Sequence, residues 1–197
     1  MKRCTEFLCL ILALGLLNLL VGCEYLPTTP IPAPMVKPGD KIGEMVVKTG
    51  FEIGKTPQIW DFCFPPTTLG VTTMECTVPA LPELAIGIGW FAADEALRDS
   101  NWKAATWELQ TIDGQQLDLN AFGTYDADVP LTGLPGHDPN EEVIVKVRGW
   151  DVVLEKPTPG LHTLHIVYHL NQQLYDGFAV TEAGKYELIV NFTVKEE

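Results

Sequence analysis

The chain has 197 residues, of which 46% are hydrophobic and 20% are charged. This composition is typical of a globular protein and excludes a collagen-like, coiled-coil or wholly disordered chain. The formal net charge of -13, with only 13 lysines and arginines, argues against nucleic acid as a partner, because a protein that binds a phosphate backbone needs clustered basic residues.

The first segment has the pattern of an export signal. Lys2 and Arg3 precede a mostly apolar run at residues 7–21. A membrane-spanning helix needs about 20 apolar residues, and this shorter run after a basic start predicts a signal peptide instead. We place the signal peptide at residues 1–22.

The apolar run ends in Leu20-Val21-Gly22-Cys23. This ending resembles the lipobox of bacterial lipoproteins, in which a small residue precedes a cysteine. The resemblance covers residues 1–23 and implies cleavage before Cys23, acylation of its sulfur and attachment to a membrane through the acyl chains. Glu24 stands where the inner-membrane retention signal of some lipoproteins has Asp, which favours the outer membrane or cell surface. The implied location is the extracytoplasmic side of the cell envelope.

Residues 23–43 predict a tether between the lipid and a folded domain. Five prolines lie between Pro27 and Pro38. Extended polyproline geometry spans about 3.1 Å per residue, so this segment would hold the domain away from the lipid surface. Packing along the domain as an edge strand is the alternative, since proline is tolerated at sheet edges.

Residues 44–197 predict one domain of short strands separated by Gly, Pro, Asn and Asp. The clearest alternation of apolar and polar residues covers 186–194. Ile112-Asp113-Gly114 predicts a tight hairpin turn. One short helix, at 93–102, among eight or more strands predicts an all-β fold, more narrowly a broadly immunoglobulin-like β-sandwich. The other predicted strands cover 44–53, 57–64, 83–90, 107–109, 143–148 and 163–170.

The cysteines predict one disulfide. Cys4 and Cys9 leave with the signal peptide and Cys23 takes the lipid, which leaves Cys63 and Cys76. In an exported protein such a pair is typical of a disulfide. A redox thiol pair or zinc ligands are the alternatives, but Cys-x-x-Cys spacing and a nearby His are missing.

The sequence contains no complete catalytic or cofactor motif. Residues 50–56 have three residues between their glycines where a phosphate-binding loop needs four. Residues 87–92 fit the dinucleotide fingerprint, but no further βαβ unit follows, so close packing of a buried strand explains these glycines better. Ser100 is the only serine and lies in the predicted helix, which argues against a serine triad. We therefore predict no enzyme activity and no cofactor.

Metal binding is predicted to be absent, with calcium as the alternative that stays open. His165 and His169 would lie about 13 Å apart on one strand, and His162 would face the other side, so the three cannot share an ion. Asp126, Asp128 and Asp138 lie in an acidic, Gly-rich segment and are the candidate calcium ligands, although the segment stops short of the EF-hand pattern. A solvated loop explains the same composition.

The tryptophans are the remaining functional signal. Exposed aromatic rings form platforms for sugar stacking, and Trp90 and Trp102, which border the predicted helix, are the candidate ligand-binding aromatics. Trp107 fits a core-facing position instead. Loops around residues 91–104 and 123–142 are predicted to recognise a protein or a glycan, because loops on a rigid scaffold commonly carry recognition.

These features together predict a membrane-anchored extracytoplasmic lipoprotein whose β-sandwich is a non-catalytic binding or structural module. One alternative is an envelope glycan hydrolase that uses the carboxylates of residues 118–142. Three of those carboxylates converging in a pocket would favour it. The other alternative is an accessory lipoprotein of a transport or secretion complex, which an exposed apolar patch would favour.

Overall fold

The computed structural model describes residues 34–196, and the predicted signal peptide, Cys23 and the first part of the tether lie outside this range. The described residues form an all-β fold with a few short helices. None of the helices in this range is long and apolar enough to cross a membrane.

The helices are a 3-10 helix at Ile59–Asp61, α1 at Glu95–Ala104 and α2 at Leu119–Phe122. The strands are β1 Lys41–Ile42, β2 Met45–Lys48, β3 Gly70–Val78, β4 Glu83–Ala85, β5 Gly89–Ala92, β6 Ala105–Ile112, β7 Gln115–Gln116, β8 Thr124–Leu131, β9 Val143–Trp150, β10 Val153–Glu155, β11 Gly160–Leu170, β12 Leu174–Tyr175, β13 Val180–Thr181 and β14 Gly184–Val194.

The largest sheet has five strands in the order β3-β14-β11-β6-β7. Strands β11 and β14 pair antiparallel along their whole length, from Gly160 opposite Val194 to Leu170 opposite Gly184. The alternation of apolar and polar residues in these two segments therefore correctly predicted two half-buried strands. Strand β3 was not predicted, and it pairs parallel to β14 at the sheet edge.

Two smaller sheets have the strand orders β1-β2-β10-β4 and β5-β9-β8. Backbone hydrogen bonds join them, because Ile86 N donates to Val152 O at 2.9 Å and Trp150 N donates to Ile88 O at 3.0 Å. Glycine is needed at this close approach: a Cβ atom at position 87 would overlap the carbonyl oxygen of Trp150. Close packing of a buried strand, rather than a dinucleotide site, therefore explains the glycine at position 87.

The predicted hairpin and helix are both present. Asp113 and Gly114 have positive φ values of 50° and 76°, as a type I′ turn between β6 and β7 requires. The second strand is short because α2 begins soon after it. Helix α1 starts two residues later than predicted, with the Asp94 side chain accepting a hydrogen bond from Leu97 N at 2.8 Å, a standard N-cap.

Two sequence-based expectations were wrong. Residues 57–64 were predicted to be a strand, but Ile59–Asp61 form a 3-10 helix. Asp61 accepts a hydrogen bond from Gln58 N at 2.7 Å, which turns the backbone away from an extended path. Residues 123–142 were predicted to be a loop, but strand β8 occupies the first half of this segment. Their predicted role in recognition stays a prediction.

The core contains buried side chains from both the five-stranded sheet and the smaller sheets. Val36 and Ile42 are 6% and 2% exposed, so the packed part of the chain includes residues before position 44. The predicted disulfide between Cys63 and Cys76 is present, with the two Cα atoms 5.7 Å apart. The buried cluster includes Val47, Leu84, Ile86, Leu154, Leu164, Ile166, Val190 and Phe192.

Candidate functional site

The candidate functional site is a groove of about 920 Å³, which we call the aromatic groove. Its size lies within the range of about 300–1,000 Å³ that is typical of small-molecule sites. Both the five-stranded sheet and the β5-β9-β8 sheet contribute to its wall. The aromatic residues that line it are Trp60, Phe64, Trp90, Phe91, Trp107, Tyr125, Tyr168 and Tyr186.

A row of three aromatic residues crosses the five-stranded sheet in the wall of the groove. Tyr168 on β11 lies opposite Tyr186 on β14 and opposite Trp107 on β6. The two tyrosine rings are stacked with centroids 5.0 Å apart, and the Trp107 ring is 5.3 Å from Tyr168. Cross-strand aromatic pairs of this kind stabilise a sheet as well as forming a flat apolar surface.

A register shift in the sheet brings Trp107 into this row. Val167 pairs with Leu109, and the next residue, Tyr168, pairs with Trp107 because the register shifts between them. Without the shift, Tyr168 would lie opposite Glu108. The irregularity therefore replaces a charged neighbour by an aromatic one, as β-bulges commonly do when they redirect a side chain.

The two candidate ligand-binding tryptophans have different positions. Trp90 lines the groove. Trp102 does not line it and packs against Trp107 and Trp150, with ring centroids 4.9 and 5.3 Å away. The indole nitrogens of Trp90, Trp107 and Trp150 are buried without a hydrogen-bond partner in the described residues. Trp107 packs against the core, as its predicted position required.

One lip of the groove is the segment that follows the 3-10 helix. Trp60 donates from its indole nitrogen to Gly87 O at 2.9 Å, which fixes the ring against the connection between β4 and β5. Phe64 projects into solvent with 74% of its surface exposed. The disulfide from Cys63 to Cys76 ties the start of this lip to β3. An exposed aromatic lip is thus held in place by a covalent bond.

A second lip of the groove is the hairpin of β12 and β13, which contributes Asp176, Ala179, Val180 and Thr181. Ala93 N donates to Asp176 O at 2.7 Å, and the Asn101 side chain donates to Tyr175 O at 2.9 Å. Gly177 has a φ of 102°, and a Cβ atom there would overlap the Ala93 side chain. Only glycine therefore lets this hairpin lie against the end of β5.

The tyrosines of the groove stay neutral hydrogen-bonding groups at physiological pH. Burial raises the pKa of Tyr125 to about 12, with a smaller contribution from the negative charge of Asp151. Burial likewise raises the pKa of Tyr168. Phe51 packs on the Tyr125 ring at 4.5 Å between centroids. Neutral phenols and aromatic faces therefore characterise this surface.

The acids of residues 118–142 do not converge in a pocket. Asp126 accepts two hydrogen bonds of 2.6 Å from Arg148, and Asp128 accepts one of 2.7 Å from Lys146. The hydrogen bond from Arg148 lowers the pKa of Asp126. Asp138 accepts a hydrogen bond from Asn140 N at 2.9 Å in its own loop. Within residues 34–196, no three His, Cys, Asp or Glu side chains are grouped so as to hold a metal ion.

The three histidines of β11 lie on two faces, as predicted. His162 is 7% exposed and lies between Asp113 and Thr158, with 2.8 Å from Nδ1 to the Asp113 carboxylate. His165 contacts Glu187 at 3.0 Å on the other face. These histidines therefore make local structural contacts.

Sequence reasoning missed most of the residues that line the groove. Of the two segments predicted to carry recognition, residues 91–104 contribute Phe91, and most of their remainder is helix α1. Residues 123–142 contribute four residues to the lining: Tyr125, Val129, Pro130 and Leu131. The run Phe64-Pro65-Pro66, which lines the groove, was treated only as the loop between the cysteines. Three apolar residues in succession outside a regular element are a signal that could have indicated an exposed recognition surface.

Comparisons of the chain with protein-family models, with curated proteins and with solved structures gave no match. The groove is therefore interpreted from its own chemistry.

Proposed function

We propose that this chain is a lipid-anchored extracytoplasmic binding module whose aromatic groove receives an amphipathic ligand. The observation that carries the proposal is a groove of about 920 Å³ with eight aromatic residues in its wall. Ligand sites are typically concave, mostly apolar and supplied with a few polar groups that orient the ligand. Aromatic rings supply a large contact area at a small cost in conformational entropy.

We further propose that the domain is an immunoglobulin-like β-sandwich. The supporting observation is the strand order, in which β6, β11 and β14 are neighbours in one sheet and β5, β9 and β8 are neighbours in another. An immunoglobulin fold divides its strands in the same way, into a CFG sheet and a BED sheet. Buried residues of β6, β11 and β14 belong to one core cluster, and the half-buried Trp90 of β5 and Trp150 of β9 pack against it. Such a rigid scaffold would hold the two lips of the groove at a fixed separation.

A non-catalytic role is part of this proposal. The glycan hydrolase alternative would need free carboxylates at a pocket, whereas Asp126 and Asp128 are paired with Arg148 and Lys146. A general acid or base has to be within reach of the proton that it transfers. We therefore do not propose the hydrolase.

The lipid anchor is proposed from the lipobox and is consistent with the disulfide, because disulfides persist in oxidising compartments. Radioactive palmitate labelling of the full chain tests it. We expect labelled protein in the membrane fraction for the wild type, and unlabelled protein in the soluble fraction for Cys23→Ser. Equal labelling and fractionation of the two proteins would contradict the anchor.

Binding in the groove is tested by filling it. Ala179 lines the groove and is exposed, so Ala179→Trp would occupy space there without disturbing the core. Ala121, exposed on α2, lies outside the groove and provides the matched control Ala121→Trp. We expect the neutral dye Nile red to bind the wild type and the control equally, and Ala179→Trp at least about 10-fold more weakly. Equal binding to all three proteins would contradict the proposal.

The accessory-lipoprotein function is a second candidate, favoured by exposed apolar side chains beside the groove. Phe64, Leu69 and Val71 are 74%, 46% and 64% exposed. A photo-cross-linking residue at position 64 should then form one discrete adduct in the envelope. Leu161, 69% exposed and outside the groove, is the control position. Adducts of equal yield from both positions would contradict this candidate.

A further inference from the structure

Asp176 on the hairpin lip is a buried carboxylate without a counter-ion. It is 8% exposed, and its Oδ1 atom accepts hydrogen bonds from Phe178 N at 2.8 Å and Ala179 N at 2.7 Å. No Lys, Arg or His among residues 34–196 forms an ion pair with it. Its second oxygen, Oδ2, accepts no hydrogen bond from the described residues. Oδ2 is not one of the fully buried polar atoms without a partner, so it keeps contact with solvent and is suited to accept a cationic donor from outside the chain.

The position of Asp176 places this charge at the aromatic wall. Asp176 lines the groove together with Trp90 and Phe91. The hydrogen bond from Ala93 N to the Asp176 backbone fastens the hairpin to the residue that follows β5. A ligand that contacts the carboxylate therefore lies within the same groove as these rings.

The charged side chains that line the groove are all acidic. No Lys, Arg or His is among the described residues that line it, whereas Asp61, Asp176 and Glu187 are. Glu187 contacts His165. Asp61 accepts a backbone hydrogen bond, as Asp176 does, but it is exposed to solvent, whereas Asp176 is largely buried. The formal net charge of the whole chain is -13, which attracts cations and repels anions at long range.

We propose that the ligand of the aromatic groove is an amphipathic organic cation. Asp176 is the anionic anchor of its ammonium group, and the aromatic wall holds its apolar body. Ring faces attract cations through their quadrupole, and a carboxylate beside them adds direct charge attraction. This inference rests on the proposed function of the groove and goes beyond it by naming the class of ligand.

Three probes with the same apolar chain test the sign of the charge. Octyltrimethylammonium, octyl glucoside and octyl sulfate are titrated into the protein below their micelle concentrations, with isothermal calorimetry and tryptophan fluorescence as readouts. We expect the cation to bind at least about 10-fold more tightly than the neutral glucoside. We expect the sulfate to bind most weakly, and added salt to reduce the advantage of the cation.

Two matched variants locate the charge. In Asp176→Asn the amide oxygen can still accept both backbone hydrogen bonds, so only the charge is lost. Asp40 also accepts a backbone hydrogen bond, from Lys37 N at 2.8 Å, and lies outside the groove. We expect Asp176→Asn to abolish the preference for the cation and leave glucoside binding unchanged. We expect Asp40→Asn, with the same change in net charge, to behave as the wild type.

The outcomes separate this inference from the function on which it rests. If the three probes bind the wild type equally and Ala179→Trp blocks them all, the groove is a binding site and the cation inference is wrong. An unchanged cation preference in Asp176→Asn would overturn the inference in the same way. If none of the probes binds the wild type, the proposed function fails together with the inference.

Discussion

The aspartates of two regions of the molecule differ in whether they form ion pairs. On the face formed by β8, β9 and α1, Asp99 and Asp126 are neutralised by Arg98 and Arg148, with N–O distances of 2.6 to 3.5 Å. In the aromatic groove, Asp176 is buried and has no cation partner in the described residues. The ion pairs of the first region are an interaction within the chain, whereas Asp176 keeps one carboxylate oxygen for the ligand that we propose.

Removal of the disulfide at the groove lip should have the largest effect on the unfolding free energy. The disulfide joins residues 13 positions apart, and closure of a loop of this size stabilises a domain by about 3 kcal/mol. We expect the double variant Cys63→Ala/Cys76→Ala to lose about 3 kcal/mol of unfolding free energy in urea denaturation. Wild-type protein kept in reductant is the control and should lose the same amount. An unchanged unfolding midpoint would contradict this prediction.

Breaking the arginine network should have the next largest effect. Arg148 donates two hydrogen bonds to Asp126 and lies 3.2 Å from Asp99. Arg148→Met leaves both carboxylates with Arg98 alone, and we expect a loss of about 2 kcal/mol in urea denaturation, since hydrogen bonds to charged groups are the stronger ones.

The control for this variant is an exposed ion pair. The side chains of Lys55 and Glu52 are 76% and 61% exposed, and Lys55→Met should change the unfolding free energy by less than about 0.5 kcal/mol because surface pairs contribute little. If Arg148→Met and Lys55→Met lose the same unfolding free energy, the ion pairs of Arg148 stabilise the domain no more than an exposed surface pair does.

Neutralising one aspartate in each region compares the two regions directly. We expect Asp126→Asn to lose about 1 kcal/mol, because it removes the negative charge and replaces one of the two acceptor oxygens by an NH2 donor that faces Arg148. We expect Asp176→Asn to lose little stability without ligand, because the amide oxygen can accept the same two backbone hydrogen bonds and no ion pair is broken. Urea denaturation at pH 7 measures both. A larger loss in Asp176→Asn would show that its carboxylate is structural.

The sequence predicted those parts of the fold that depend on local patterns. Alternation along 163–170 and 186–194 identified β11 and β14, and Asp113-Gly114 identified a turn that needs positive φ. The cysteine pair followed from the compartment. Each of these signals lies within a short stretch of chain or depends only on residue type.

The rest depends on contacts between distant residues. Strand β3, which was not predicted, pairs with β14 more than a hundred residues away in the sequence. The pairing of Tyr168 with Trp107 depends on a register shift, which no local pattern specifies. The burial of Asp176 follows from the hydrogen bond between its backbone and Ala93. The groove is built from such contacts, which is why the sequence indicated Trp90 and the segments that hold Phe91 and Tyr125 but not the other residues of the lining.

The smallest expected effect is the pH dependence of the ion-paired face. The hydrogen bond from Arg148 lowers the pKa of Asp126, so the folded state keeps this carboxylate ionised at a pH where the unfolded chain has begun to bind a proton. The stabilisation is therefore complete above the unfolded pKa of about 3.9 and is lost as the pH falls through the lower folded value.

The side chain of Asp126 is 44% exposed, so solvent screening limits this contribution to less than about 1 kcal/mol. We expect the gap in unfolding free energy between wild type and Asp126→Asn to be constant above about pH 5 and to narrow as the pH falls below the unfolded pKa of about 3.9. In an Arg148→Met background the same gap should be small and nearly independent of pH, since the group that lowers the pKa is missing. A gap that stays constant in the wild-type background would mean that Asp126 acts through its shape and hydrogen bonds alone. The ion pairs of Asp126 would then add nothing to the difference between the two regions, which would rest on Asp176 alone.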